Sequence, residues 1–326
     1  MTRDARRDTS PRARRPWVLI SSAVLVAGLL AFHSAVPNAV GNVGSLLETF
    51  LPWLGLVVVA LLVLASSRRS AIALTAVALP ATVWVIMFGT SVFPGSVIAG
   101  GPEPGPTLTV LQHNVADDNA DPGGTARALA GAGADLIALQ ELTPQALPVY
   151  EAALAPEHPH RVVVGTVGLW SRLPLADGRP VAIKPQDVTA DWNRGLRATV
   201  RTPVGDIAAY VAHLPSVRLR PQDGFGTAWR DESAAALATA VAAEKLERIV
   251  LLGDLNGTVH DRGLSPLTSL LAPALDGFGF TWPAAFPLAR IDHIMARGAT
   301  PATTWTLPAT GSDHLPTAAT LRLRLQ

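Results

Sequence analysis

Three apolar runs in the first 93 residues limit what this chain can fold into more than any other feature. They cover residues 17–32, about 46–65, and 71–93. A segment in hydrocarbon has no water for its backbone N–H and C=O groups, so it must be helical or belong to a closed barrel. The second and third runs have the roughly 20 residues that a helix needs to cross a bilayer. The first has the length of a signal-peptide core. No small-x-small cleavage site follows it, and two more runs do, so a retained helix is expected. Pro52 and Pro80 fall within the runs, where membrane helices tolerate proline. Glu48 lies near an end of the second run and reads as an interfacial residue.

Arginines orient such spans, because basic loops stay on the cytoplasmic side. Arg3, Arg6, Arg7, Arg12, Arg14 and Arg15 make residues 1–16 a basic cytoplasmic tail. Arg68 and Arg69 place the short loop between spans two and three on the same side. The loop at residues 33–44 has no Lys or Arg. A multi-pass anchor of three transmembrane helices in the cell membrane, residues 17–93, therefore delivers the rest of the chain outside. Residues 94–106 are rich in Gly and Pro and read as a linker. One large extracytoplasmic domain remains, residues 107–326.

Residues 1–100 carry eight arginines against Asp4, Asp8 and Glu48, a balance of +5; the whole chain is +1, so residues 101–326 carry −4. Nonspecific nucleic-acid binding relies on neutralising phosphates with Lys and Arg. No stable nucleic-acid partner is expected. Nothing in the sequence marks a protein partner. The absence of cysteine excludes disulfides, a thiol nucleophile and Cys-ligated zinc.

In the outer domain, strands are expected at residues 108–115, 135–141, 161–164, 167–171, 181–183, 196–201, 206–213, 249–252, 290–296, 303–307 and 317–323. Helices are expected at 125–132, at 144–154 with Thr143 as N-cap, and at 231–247. The pattern is mixed α/β with hairpins, not a regular βαβ repeat. Polar groups recur where apolar strands end. Asn114, Glu141, His213, and the pair Asp254 and Asn256 each follow such a run. Asp292 lies within another, and Asp313 and His314 precede the last. Alone, each has an ordinary explanation as a turn residue, a cap or a buried imidazole. Together, oxygen and imidazole donors at strand ends suit a hard divalent cation, Mg²⁺ or Mn²⁺, and a phosphoryl group.

The ordered set Gln112-His113-Asn114, Leu139-Gln140-Glu141, Ala212-His213, Gly253-Asp254-Leu255-Asn256, Ile291-Asp292 and Ser312-Asp313-His314 resembles the endonuclease/exonuclease/phosphatase superfamily over residues 108–323. The resemblance implies a four-layer α/β sandwich, two central mixed β-sheets flanked by helices. It implies that Glu141 is the main metal ligand, with Asn114 beside it and Asp313 close by. It implies that Asp254 deprotonates the attacking water and that Asn256, His213 and His314 contact phosphoryl oxygens, with Asp292 orienting His314. Some members pair the mid-chain histidine with a Glu from an earlier strand, which has no evident counterpart here. Arg194 lies where some members carry a phosphate-contacting arginine, with Arg197 as the alternative.

A domain tethered just outside a bilayer has a high effective concentration for lipid head groups. Trp170, Trp192, Trp229 and Trp282 read first as core and second as an amphipathic mouth. The spans and outer domain together resemble membrane-anchored members linked to glycopeptide resistance. That likeness implies a membrane lipid substrate, a polyprenyl diphosphate. An anchored nuclease or phosphodiesterase and a non-catalytic lipid or antibiotic sensor are the alternatives. A topology reporter fused after residue 100 is expected to report the outside; a cytoplasmic signal would overturn the membrane reading.

Overall fold

The computed structural model describes residues 15–92, 105–221 and 224–324. The basic tail to residue 14 and the linker from 93 to 104 lie outside the described residues. The segment expected to be an anchor contains α1 (Arg15–Ala31), α2 (Val43–Thr49), α3 (Leu54–Ser67) and α4 (Ala71–Val92). Strands β1 (Thr107–Asn114) and β2 (Leu136–Gln140) flank α5 (Pro122–Ala130). Helix α6 (Leu147–Leu154) leads to β3 (His160–Val164), β4 (Val167–Ser171), β5 (Leu175–Pro180), β6 (Gly195–Thr202) and β7 (Gly205–His213). A small hairpin, β8 (Arg218–Arg220) and β9 (Gly224–Gly226), precedes α7 (Ala228–Ala242) and β10 (Ile249–Asp254). A one-turn α8 (Ser265–Thr268), β11 (Ala272–Pro273), β12 (Asp292–Arg297), β13 (Ala299–Thr306) and β14 (Thr317–Leu323) complete the chain.

Two six-stranded mixed sheets form the centre, in the orders β13-β14-β1-β2-β4-β3 and β11-β12-β10-β7-β6-β5. Their inner faces meet in a core that includes Val110, Leu136, Leu169, Leu196, Val211, Val250, Leu252, Ile294 and Leu321. Helices α5 and α6 cover the first sheet through Leu129, Tyr150 and Leu154. Helix α7 covers the second through Ala234, Leu237 and Val241. This is the expected four-layer sandwich. The central strands read as near-continuous apolar runs because both of their faces are buried.

Several boundaries differ from the sequence reading. Thr143 accepts a hydrogen bond from Ala146 N–H in the turn before α6, so the helix starts later and Ala146 is its cap position. The strand expected at residues 181–183 lies earlier, at β5. Helix α7 stops at Ala242, after which Glu244 turns to accept from the N–H groups of Lys245 and Leu246.

Among the described residues, only Ala71–Val92 is by itself long and apolar enough to cross a membrane. Trp17–Ala31 is shorter, and the run expected as one straight span at 46–65 is bent by 69° between Val43–Thr49 and Leu51–Ser67. Pro52 supplies the physical reason: it has no N–H for the helical ladder. The segment before the bend rests on the α/β sandwich. Glu48 is not an interfacial residue but a fully buried one. Its carboxylate accepts from Arg262 N–H at 3.0 Å, Nε at 3.0 Å and Nη2 at 2.9 Å, and lies 3.2 Å from His33 Nδ1. Trp53 Nε1 donates to the carbonyl of Leu288 at 2.8 Å. Trp53, Phe280, Phe278, Phe88 and Trp84 form a chain of ring contacts across the same junction.

Gly253 shows how tightly the second sheet is drawn together. A Cβ there would lie 1.9 Å from the carbonyl oxygen of Ala212 on the neighbouring parallel strand. Gly253→Ala is expected to cost about 1–3 kcal/mol or more by forcing the strands apart. Chemical denaturation of the purified protein checks this; unchanged stability would show that β7 and β10 separate freely.

Candidate active site

Strand register assembles the site. In the second sheet, Asp254 of β10 is paired with His213 of the parallel β7 and with Asp292 of the antiparallel β12. Three chemically active side chains therefore stand side by side at one sheet edge. In the first sheet, Asn114 ends β1 opposite Gln140 of β2, which puts Glu141 one residue beyond. His314 arrives just before β14, the other neighbour of β1. Face-to-face packing brings both edges together.

Asp254 is the hub. Its Oδ2 accepts from Asn114 Nδ2 at 3.0 Å and lies 3.7 Å from both His213 Nε2 and His314 Nε2. Its Oδ1 accepts from Asn256 N–H at 2.9 Å. The amide of Asn256 donates to Leu214 O at 2.9 Å and, at 3.3 Å, to Asp254 Oδ2. Asn256 thus braces Asp254, and a phosphoryl oxygen would draw on the longer of its two contacts. Glu141 Oε1 accepts from Asn114 Nδ2 at 3.1 Å, and Oε2 from Asp117 N–H at 3.1 Å. Glu141 and Asn256 both have positive φ, 61° and 48°. Non-glycine residues in that region are uncommon and concentrate at functional sites.

His314 Nδ1 meets Asp292 Oδ2 at 2.8 Å, and Gln112 Nε2 donates to Asp292 Oδ1 at 3.0 Å. The sequence reading of Asp292 as the group that orients His314 matches this contact. His213 Nε2 is buried with no hydrogen-bond partner and lies 3.6 Å from Glu141 Oε1. Arg194 Nη1 lies 3.5 Å from His213 Nδ1, and its guanidinium sits 5.1 Å from the ring centroid of Trp192. Arg194, not Arg197, therefore faces the cleft. Arg197 is buried elsewhere, bonded to Glu244 at 3.0 Å and to Thr199.

Charge is distributed unevenly among the imidazoles. Burial works against protonating His314, but Asp292 and Asp254 outweigh it and raise its pKa to about 10. Burial, then the charges of Arg194 and His314, lower His213 to about 3. Burial also raises Asp254 above the usual carboxylate range. Burial has the same sense for Asp292, but the charge and hydrogen bond of His314 hold it below that range.

Ligand atoms of Asp254, Asp292 and His314 all lie within 4.8 Å of one another. The short His314–Asp292 contact makes those two an ion pair first. Of the three residues expected to hold a metal, Glu141 is half-buried and Asp313 exposed, while Asn114 is buried with its Oδ1 accepting from Ala116 N–H at 3.1 Å. Among the described residues, no Lys or Arg forms an ion pair with Glu141, Asp254 or Asp313. Glu141 and Asp254 share the Asn114 amide as donor, and carboxylates brought this close suit a hard divalent metal bound through oxygen. Asp313 is exposed, and its Oδ2 accepts from Trp282 Nε1 at 3.1 Å.

Residues 111–314 match the family model of the endonuclease/exonuclease/phosphatase family. The chain belongs to this family. The family's fold recurs in an endonuclease/exonuclease/phosphatase family protein from Bacteroides thetaiotaomicron, with TM-score 0.57, 17% identity, and 68% of this chain and 100% of that one covered. Sphingomyelinase C from Streptomyces griseocarneus gives TM-score 0.52 and 21% identity, covering 66% and 99%. A Staphylococcus aureus beta toxin variant with bound magnesium ions gives 0.53 and 15%, covering 66% and 99%. No match was found among curated proteins.

Trp282, which the sequence reading placed second as a mouth residue and the family motifs did not mark, is the one tryptophan of the four that bonds a site residue. Trp170 is core. Trp192 lies beneath Arg194, and Trp229 is exposed with Arg220 over its ring at 6.0 Å. Arg230 was also missed; it donates to Asn256 O at 3.1 Å and to Asp261 at 2.8 Å. Neither residue sits at the end of an apolar strand, where most of the motif residues lie.

A histidine whose folded pKa is raised adds stability that is fully present below its unfolded value of about 6.5. For His314 that contribution fades as pH rises through about 10. Ring-nitrogen NMR of the metal-free protein at about pH 7 should show His314 as imidazolium and His213 as neutral imidazole. A neutral His314 there would contradict this electrostatic account.

Proposed function

We propose that this protein is a membrane-anchored, Mg²⁺-dependent phosphohydrolase that cleaves a lipid diphosphate, polyprenyl or undecaprenyl diphosphate, at the outer face of the cytoplasmic membrane. One observation carries the reading: the phosphohydrolase-type cleft stands on a domain seated directly on apolar helices through Glu48, Trp53 and their partners. The −4 balance of residues 101–326 supports a lipid over a nucleic acid. Three spans with the domain outside, and Mg²⁺ in place of Mn²⁺, belong to the same proposal. So does the physiological role, recycling of the cell-wall carrier lipid with a link to teicoplanin resistance.

The chemistry follows from the side chains. Glu141, with Asn114 and Asp313, would hold a divalent ion, which when bound would supply Lewis-acid stabilisation of the phosphoryl charge. Asp254, its pKa raised by burial, accepts a proton from the attacking water at an operating pH near neutral. The water oxygen bonds to the terminal phosphorus as the bridging P–O bond breaks, giving inorganic phosphate and the lipid monophosphate. His314, charged and held by Asp292, donates from Nε2 to a phosphoryl oxygen. His213, neutral, offers its unpartnered Nε2 to another. Arg194 adds a fixed positive charge beside them.

Purified protein is expected to release phosphate from a polyprenyl diphosphate with Mg²⁺ and to lose that activity in chelator. Asp254→Ala and His314→Ala should each reduce turnover by about 10²-fold or more. Nicking of DNA without lipid hydrolysis would replace the lipid reading with a nuclease; folded protein with neither activity would favour a sensor. Wild-type turnover in both variants would overturn the site assignment.

A further inference from the structure

The bent outer segment of the anchor touches both loops that flank the cleft. We propose that this elbow, residues 33–53, is a positioning element that fixes the cleft over the bilayer, so that a lipid phosphate reacts while its apolar chain stays in the membrane. The inference rests on the lipid-phosphohydrolase reading above.

Two chains of contacts lead from the elbow to the site. The first runs to the loop after Asp254. Glu48 holds Arg262 by three hydrogen bonds, and its carbonyl accepts from Thr258 at 3.2 Å. Arg262 also donates to the elbow carbonyls of Val36 at 2.7 Å and His33 at 3.0 Å. Ser45 donates to Asp261 at 3.3 Å, Asp261 accepts from Arg230 at 2.8 Å, and Arg230 holds the carbonyl of Asn256 at 3.1 Å. The second chain runs to the loop at residues 281–289. Trp53 binds the carbonyl of Leu288, whose N–H donates to Trp282 O at 2.8 Å. The Trp282 indole then reaches Asp313, and Ala284 N–H donates to Asp313 O at 2.7 Å. Asn256 on one side and Asp313 on the other are thus each tied to the anchor.

The elbow lies outside the family match. The family match starts at residue 111, and solved relatives reach 99–100% coverage of their own chains on only 66–68% of this one. A fully buried carboxylate at a junction the shared fold does not need is costly to retain for adhesion alone. Its geometry does something adhesion does not: it fixes direction. The same loop presents Phe286, 67% exposed, and Trp282, 38% exposed, between Asp313 and the start of α3. The apolar outer face of α3 begins there, with Leu56, Val57 and Val59 exposed. A lipid chain can therefore follow apolar surface from the cleft to the membrane.

The test compares two presentations of substrate to full-length protein in vesicles. Glu48→Gln keeps the shape of the clamp but not its charge; Trp53→Phe keeps the ring but not its N–H. Polyprenyl diphosphate in the vesicle is set against a short, water-soluble prenyl diphosphate, with melting temperature measured in parallel. Both variants are expected to lose about tenfold or more in kcat/KM on the vesicle lipid and to stay within about twofold on the soluble one. Equal losses on both substrates, or none on either, would overturn the elbow's role and leave the lipid reading standing. Failure of the wild type on vesicle lipid would instead remove the lipid reading and this inference with it.

Discussion

The close parallel pairing of β10 with β7 is the constraint on which the site depends. At Gly253 the strands approach so nearly that a side chain would meet the carbonyl of Ala212. That approach fixes the register, and the register places Asp254 between His213 and Asp292. A shift of one residue would turn every side chain of β10 to the opposite face. Catalytic geometry and core packing are then the same fact seen from the strand's two ends: Val250 and Leu252 face the other sheet only where Asp254 also reaches the cleft.

From that placement the electrostatics follow. Asp254 and Asp292 are both essentially dry. Two buried carboxylates cannot both ionise cheaply without compensation. His314 provides it, but unequally. It bonds Asp292 at 2.8 Å and stands 3.7 Å from Asp254. Asp292 stays ionised and holds a charged imidazole, while Asp254 is left as a more basic carboxylate. The two acids thereby diverge in pKa, one held low and the other raised, because one has a close cation and the other a more distant one. Glu141, half open and without a cationic side-chain partner among the described residues, is the group left for a metal.

Strand interiors were legible because buried strands are written as unbroken apolar runs, and the site was legible because its residues sit where those runs stop. Asn114, Glu141, His213 and Asp254 fit that rule, whereas Asp292 opens β12. What escaped it is instructive. Choosing between Arg194 and Arg197 needs the direction of side chains on β6, and period alone does not say which face meets the cleft. Arg197 turned out to face Glu244 and α7. The break at residues 50–53 was hidden because hydropathy does not register a bend; only Pro52 marked it. Glu48 was misread because its partner, Arg262, lies 214 residues away. No local pattern reports a long-range ion pair.

The junction between anchor and domain divides its work between two kinds of contact. Rings from Trp53, Phe278, Phe280, Phe88 and Trp84 bury large apolar area and supply most of the attraction. Such contacts are forgiving in direction, since stacked and tilted rings tolerate sliding. The Glu48–Arg262 pair has the opposite character. Desolvation offsets much of its Coulombic gain, so it adds little net stability. Its several directed hydrogen bonds are satisfied in only one arrangement. Adhesion alone would leave the domain free to rock on its helices; the ion pair removes that freedom. What this chain adds to the sandwich of its family is therefore a junction that joins undirected ring contacts to one directed ion pair.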